Sequence, residues 1–167
     1  MTETRNYILS ATTASKKLQR MAYEIVEQNM EDAGELILAG IQENGVVLAN
    51  IIAMFLKDIY KGSIKVIEIT LNKRYPQEIL LSEELNFDDA VIILVDDVTN
   101  SGKTLLYALK PFLIFHPKKI QTLTLVERSH KLFPVTSDYV GISLASTLQE
   151  HIFVEVDETQ VLGAYLV

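Results

Sequence analysis

Apolar and polar positions change period several times along this 167-residue chain, and each change predicts an element. Leu18, Met21, Ala22, Ile25 and Val26 recur at helical spacing, with Thr12 or Thr13 as the cap. Leu36 to Ile41 is a short continuous apolar run, the pattern of a buried strand, and Gly45 opens a second helix through about Leu56. The turn Lys61-Gly62-Ser63 leads into a strand from Ile64 to Leu71, whereas residues 72–88 mix charge with Pro76 and show no period. The apolar run Val91 to Val95 ends in Asp96 and Asp97. A small polar loop, Val98 to Thr104, separates it from the apolar run Leu105 to Leu109. Pro111 cannot donate to a helical ladder, so that helix kinks or ends early. A further strand runs from Ile120 to Val126. This alternation of strand and helix predicts an α/β fold, a mostly parallel central sheet with helices on both faces, in one domain over residues 1–167.

The chemistry concentrates in residues 91–104. A buried strand, two carboxylates and a tight turn onto a helix start place unpaired backbone N–H groups beside acidic side chains. Phosphate suits the amides, and hydroxyls or a metal suit the carboxylates, so a sugar phosphate fits better than bare phosphate. A P-loop is excluded, because its first glycine would fall on Asp97. A nucleotidase Walker-B strand lacks the upstream P-loop it needs. A phospho-receiver domain opens with such an acid pair, and too little chain follows residue 97 to complete one.

The stretch Val91 to Thr104 resembles the 5-phosphoribosyl 1-diphosphate (PRPP) signature of the type I phosphoribosyltransferases, with Ser101-Gly102-Lys103-Thr104 standing where that signature has T-G-x-T. The similarity continues through Ala22 to Asn29, Leu38 to Ile41 with Gly45, Glu68 to Leu71, Leu125 to His130, Asp138 to Gly141 and Val154 to Glu158. It is nearest to the bifunctional pyrimidine-operon attenuator and uracil phosphoribosyltransferase family. The resemblance implies a type I phosphoribosyltransferase fold with a small hood. It also implies transfer of phosphoribose from PRPP to a nucleobase, uracil favoured, with release of diphosphate.

The same resemblance implies roles. Asp96 and Asp97 contact the ribose hydroxyls and are the catalytic pair, while Thr99, Asn100, Ser101, Gly102, Lys103 and Thr104 cradle the 5′-phosphate. Gln42, Glu43, Asn44 and Gly45, with Lys73 and Arg74 from a closing loop, face the diphosphate. Val126, Glu127 and Arg128 border the base, and His130 lies near it; His116 and His151 read as surface or structural. Mg²⁺ arrives with PRPP and needs no direct protein ligand, and relatives suggest a homodimer or larger homo-oligomer. The loop at residues 42–45 departs from its relatives in carrying neither lysine nor arginine. That departure keeps open a regulator that binds PRPP or a nucleotide without turning it over.

Composition narrows the partners. No apolar run approaches the roughly 18 residues of a bilayer span, and Met1-Thr2-Glu3-Thr4 shows no export signal. The absence of cysteine removes disulfides, zinc–thiolate sites and thiol nucleophiles, so the cytoplasm is expected. A net charge of −7, with small basic groups only at Lys16-Lys17-Arg20 and Lys118-Lys119, argues against RNA held by its backbone.

Overall fold

The computed structural model describes residues 4–31, 34–147 and 149–167; Met1 to Glu3, part of the export reading, lie outside them. The chain runs β1 (Asn6–Ser10), α1 (Ala11–Gln28), β2 (Leu36–Ile41), α2 (Asn44–Leu56), β3 (Ile64–Leu71), β4 (Ile79–Leu81), β5 (Val91–Thr99) and α3 (Lys103–Ala108). A 3₁₀ turn (Lys110–Phe112), β6 (Lys119–Arg128), β7 (Tyr139–Leu144), β8 (Ile152–Val156) and β9 (Val161–Leu166) complete it. Six strands form one sheet in the order β4-β3-β2-β5-β6-β7, parallel except for the edge strand β4.

The two faces of this sheet are buried by different elements, because alternate residues of each strand point opposite ways. Leu36 and Leu38 of β2 and Val91, Ile93 and Val95 of β5 pack with Leu18, Met21 and Ile25 of α1 and Leu48 and Ile52 of α2. Ile37, Ala39, Ile92 and Leu94 face the other way, onto Leu105 and Ala108 of α3 and onto Phe112. Phe87 closes that second core edge-on against Phe112 and Phe115, with ring centroids 4.9 and 5.3 Å away. The connection after β2 therefore leaves on one face and that after β5 on the other. Adjacent parallel strands whose connections diverge leave a crevice at their carboxyl ends.

Several local expectations shift. The cap of α1 is Ser10, not Thr12 or Thr13: its extended backbone (φ −83°, ψ 165°) ends β1, and its hydroxyl accepts the Thr13 N–H at 3.1 Å. Strand β5 runs past the acid pair to Thr99, because β6 continues pairing with it as far as Thr99↔Glu127. Strand β6 itself extends from Lys119 to Arg128, beyond both ends of the apolar run. At Pro111 the helix stops at Ala108 and tightens into the 3₁₀ turn. The unpatterned stretch 72–88 holds β4.

A second sheet forms the hood. Strands β1, β9 and β8 pair antiparallel, joining the two ends of the chain, with Val154, Val161 and Ala164 packed into the core beneath α1 and α2. Among the described residues no helix is long and apolar enough to cross a membrane.

Candidate active site

The crevice between β2 and β5 holds the acidic pair. Asp96 is buried to 1% exposure at the end of the β5 apolar run, and its Oδ1 accepts the Asp97 N–H at 2.9 Å and the Lys73 ammonium at 3.3 Å. Burial pushes its carboxyl well above the usual range, and the neighbouring Asp97 charge pushes the same way; Lys73 pulls it back. Asp97 is half-buried. Its Oδ1 accepts the Val98 N–H at 2.8 Å, and its Oδ2 accepts the Asn44 amide at 2.9 Å.

The loop beyond β5 turns at Gly102, whose φ of +87° lies in the left-handed region. A Cβ there would stand 3.2 Å from the Val135 carbonyl oxygen and 3.3 Å from that of Phe133, so backbone presses on the turn from outside. Ser101 anchors it, its carbonyl accepting the N–H groups of Leu132 and Phe133 at 3.0 Å each. The result is a cleft of about 380 Å³ lined by Lys73, Asp96, Asp97, Val98, Thr99 to Leu105 and Ile152. The Thr99 hydroxyl is buried there without a hydrogen-bond partner.

A second cleft, about 400 Å³, adjoins the first through Lys73 and Asp97 and is otherwise lined by Gln42, Glu43, Asn44 and Leu71. The Gln42–Glu43 peptide bond is cis. The turn approaches β5 closely because Gly45 has no side chain: a Cβ there would stand 2.5 Å from the Val95 carbonyl oxygen. Asn44 bridges the acid pair to the hood, donating to Asp97 and to the Val154 carbonyl at 3.0 Å. The turn carries no cation, and Lys73 supplies one from the end of β3. Asn72 Oδ1 fixes that turn by accepting the N–H groups of Arg74 and Tyr75. Arg74 itself lies over the Tyr75 ring, and its carbonyl accepts the Lys103 ammonium at 3.3 Å.

On the far side lies a third cleft of about 600 Å³, sharing Asn100, Ser101 and Ile152 with the first. Arg128, His130, Lys131, Leu132, Ser146, His151 and Phe153 complete it. Val126 is buried in the core beneath it, and Glu127 pairs with Lys131 at 2.8 Å while accepting the Ser137 N–H at 2.9 Å. His151, expected at the surface or in a structural role, lines this cleft with His130. The hood residues His151, Ile152 and Phe153 carry no sequence signal because long-range contacts bring them to the cleft: β8 pairs with β9, and Arg128 and Asn44 bond the carbonyls of Glu150 and Val154.

Comparison with known proteins bears on this geometry. The phosphoribosyl transferase domain family matches residues 6–159. The chain is 36% identical over 163 residues to the bifunctional protein PyrR of Ligilactobacillus salivarius, covering 90% of this chain and 91% of that one. Its identity to PyrR of Pelotomaculum thermopropionicum is 33% over 168 residues, covering 95% and 92%. Among solved structures, the hypoxanthine phosphoribosyltransferase of Trypanosoma cruzi superposes with a TM-score of 0.76 at 15% identity, over 95% of this chain and 96% of that one. A hypoxanthine-guanine phosphoribosyltransferase of Bacillus anthracis gives 0.67 at 19%, over 88% and 84%. At such identities the two structures speak for the fold alone.

Proposed function

The chain belongs to the phosphoribosyl transferase family, and from that premise we propose that it moves 5-phosphoribose from PRPP to a nucleobase, uracil favoured, releasing diphosphate. One observation carries the reading: three clefts meet in a row at the carboxyl ends of β2, β5 and β6, sharing residues at each junction. A sugar phosphate suits the middle one, a diphosphate the one beside Lys73, and a flat ring the apolar-walled one beneath the hood.

In this reading Asp96 and Asp97 accept hydrogen bonds from the ribose hydroxyls. Thr99 to Thr104 hold the 5′-phosphate through hydroxyls and turn amides. Gln42, Glu43 and Asn44 place backbone and amide groups along the diphosphate, and Lys73 meets its charge; Gly45 lets their turn lie against β5, and Arg74, next along the chain, lies over Tyr75 outside the cleft lining. Of the three residues expected to border the base, Arg128 alone lines the third cleft, while Val126 lies in the core beneath it and Glu127 turns to Lys131 and Ser137. The bond from the anomeric carbon to diphosphate breaks with its electron pair leaving on oxygen, and a base nitrogen bonds to that carbon. Positive charge develops on the ribose and negative charge on the leaving group, so the chain acts by position and electrostatics.

The donor set also fits a magnesium ion that enters with PRPP. Asp96 and Asp97 offer hard oxygen acceptors to the water shell such an ion would keep, with no direct protein ligand expected. When bound, the ion supplies positive charge beside the diphosphate. A cysteine-free chain agrees with a reducing compartment, the cytoplasm, and we expect at least a dimer.

A second reading, a regulator that binds PRPP without transfer, is favoured by Glu43, an exposed carboxylate lining the diphosphate cleft. Diphosphate release from PRPP with Mg²⁺, assayed with uracil and then with other nucleobases, separates the two. Base-dependent release is the expected result. Thermal stabilisation by PRPP with no release from any base would overturn transfer and leave the regulator.

A further inference from the structure

Arg128 is 5% exposed, a cation nearly removed from water at the last residue of β6. Its Nε donates to Asn100 Oδ1 at 3.2 Å, its Nη2 donates to the Glu150 carbonyl at 2.7 Å, and its Nη1 donates to the Thr147 carbonyl. These acceptors are neutral, an amide and two carbonyls. They also belong to separate parts of the site: Asn100 to the loop after β5, Thr147 and Glu150 to the approach to β8. The hood residues His151, Ile152 and Phe153 follow directly and wall the third cleft.

A guanidinium has donors in a rigid planar fork, so filling its sides fixes the acceptors relative to one another. Burying a cation is costly without full hydrogen bonding, so this arrangement resists partial opening. Asn100, by contrast, is exposed and lies in the loop expected to close on the 5′-phosphate. Ordering that loop holds Asn100 Oδ1 against the guanidinium. The same guanidinium holds the Thr147 and Glu150 carbonyls.

We propose that Arg128 is a positioning residue that makes the phosphate loop and the hood wall of the base cleft one mechanical unit, so that occupancy of the phosphate site orders the base site. The inference rests on the phosphoribosyltransferase reading and adds to it a coupling between two of its subsites. Arg128 acts through Asn100 and the hood carbonyls, and its own role requires no contact with substrate.

The test is amide hydrogen exchange of peptides covering Gln149–Phe153, with and without PRPP and Mg²⁺, alongside steady-state kinetics. In the natural protein PRPP should slow exchange of that hood segment. In Asn100→Ala, compared at PRPP concentrations that saturate each protein, the hood protection should disappear. Arg128→Met should raise the KM for the base about tenfold, the loss of roughly one charge-assisted hydrogen bond's worth of order, with kcat changed less. Arg128→Lys should restore only part, because one ammonium cannot span three separated acceptors. Hood protection by PRPP that persists in Asn100→Ala overturns the coupling. So does an Arg128→Met enzyme that is merely less thermostable, with KM for the base unchanged below its unfolding temperature. Should PRPP fail to bind the natural protein at all, the functional reading itself falls, an outcome distinct from binding without hood protection.

Discussion

Replacing Lys73 by methionine removes the cation shared by the first two clefts while keeping much of the side chain's length. Its side chain is half exposed, 48%, and its ammonium stands 3.3 Å from the carboxylate of Asp96, whose side chain is 2% exposed. Lys73 also lines the adjoining cleft, where in the proposed reading the same ammonium would meet a diphosphate. Two unit charges about 4 Å apart attract by about 4 kcal/mol at the effective dielectric of a protein surface. Solvent around the half-exposed lysine and ordinary salt cut this to roughly 2 kcal/mol, a factor of about thirty in kcat/KM for PRPP. The assay is initial-rate diphosphate release over a range of PRPP concentrations at fixed base. Ribose 5-phosphate binding serves as the control, since that ligand lacks the diphosphate and should bind the variant within about threefold of the natural protein. A rise in KM alone would mean that Lys73 holds the diphosphate equally before and during departure; a fall in kcat would mean that it meets the developing charge. The reasoning is refuted if kcat/KM stays within about threefold. It is equally refuted if ribose 5-phosphate loses as much affinity as PRPP, for then Lys73 serves the acid pair alone.

The other predictions follow from the same cleft. Asp97→Asn should lower PRPP turnover roughly a hundredfold, two charge-assisted hydrogen bonds' worth; an unchanged rate in the release assay would remove Asp97 from the chemistry. Gly102→Ala forces a left-handed backbone at φ +87° against two carbonyl oxygens, about 1–2 kcal/mol. Calorimetry should show Tm lower by about 3–8 °C, and an undiminished Tm would contradict the turn. Asp96→Asn should behave oppositely at neutral pH. A carboxyl raised on folding keeps its proton where the unfolded chain, near 3.8, has lost it, so its stabilising contribution is full below 3.8 and is lost as pH climbs through the raised native value. The amide variant should therefore melt higher than the natural protein at neutral pH, with the gap closing in acid, while PRPP affinity falls. A melting gap independent of pH would count against a buried, ionising Asp96.

The parallel core was legible in the chain because its strands are buried on both sides and read as continuous apolar runs, with Leu36 to Ile41 buried at all six positions. Strands with one open face did not show themselves. Asn6–Ser10 is mostly exposed, and its identity as a strand comes from the opposite end of the chain through Asn6↔Leu166; β8 and β9 are short and partly exposed and pair with each other. Phe87 sat in a stretch with no period, yet it is one of the largest fully buried side chains, placed there by Phe112 and Phe115 from beyond the next helix. Ser10 is not marked as a cap by local sequence, because only the end of β1 fixes where the chain must turn into α1.

The candidate site divides along the same physical line. Asp96, Asp97 and residues 99–104 are contiguous, so one glance along the chain collects them, and the fold gathers them around one cleft. The third cleft is assembled from the end of β6, the turn after it and the hood, and only the tertiary fold brings His151, Ile152 and Phe153 to Asn100. Lys73, expected on the diphosphate side, lines the second cleft together with the turn at residues 42–44. The turn at residues 42–45 lacks a cation in sequence, but a cation is needed only in space, and β3 lies hydrogen-bonded beside β2. Asp96 completes the argument from the side of stability. An acid whose ionised form is disfavoured by burial and by its acidic neighbour works against the folded state at neutral pH. Local conflict of this kind is tolerated where a ligand resolves it. In the proposed reading the groups able to do so would be the ribose hydroxyls of PRPP and the divalent cation travelling with its diphosphate, the ligand that the loop at residues 99–104 and Lys73 would hold.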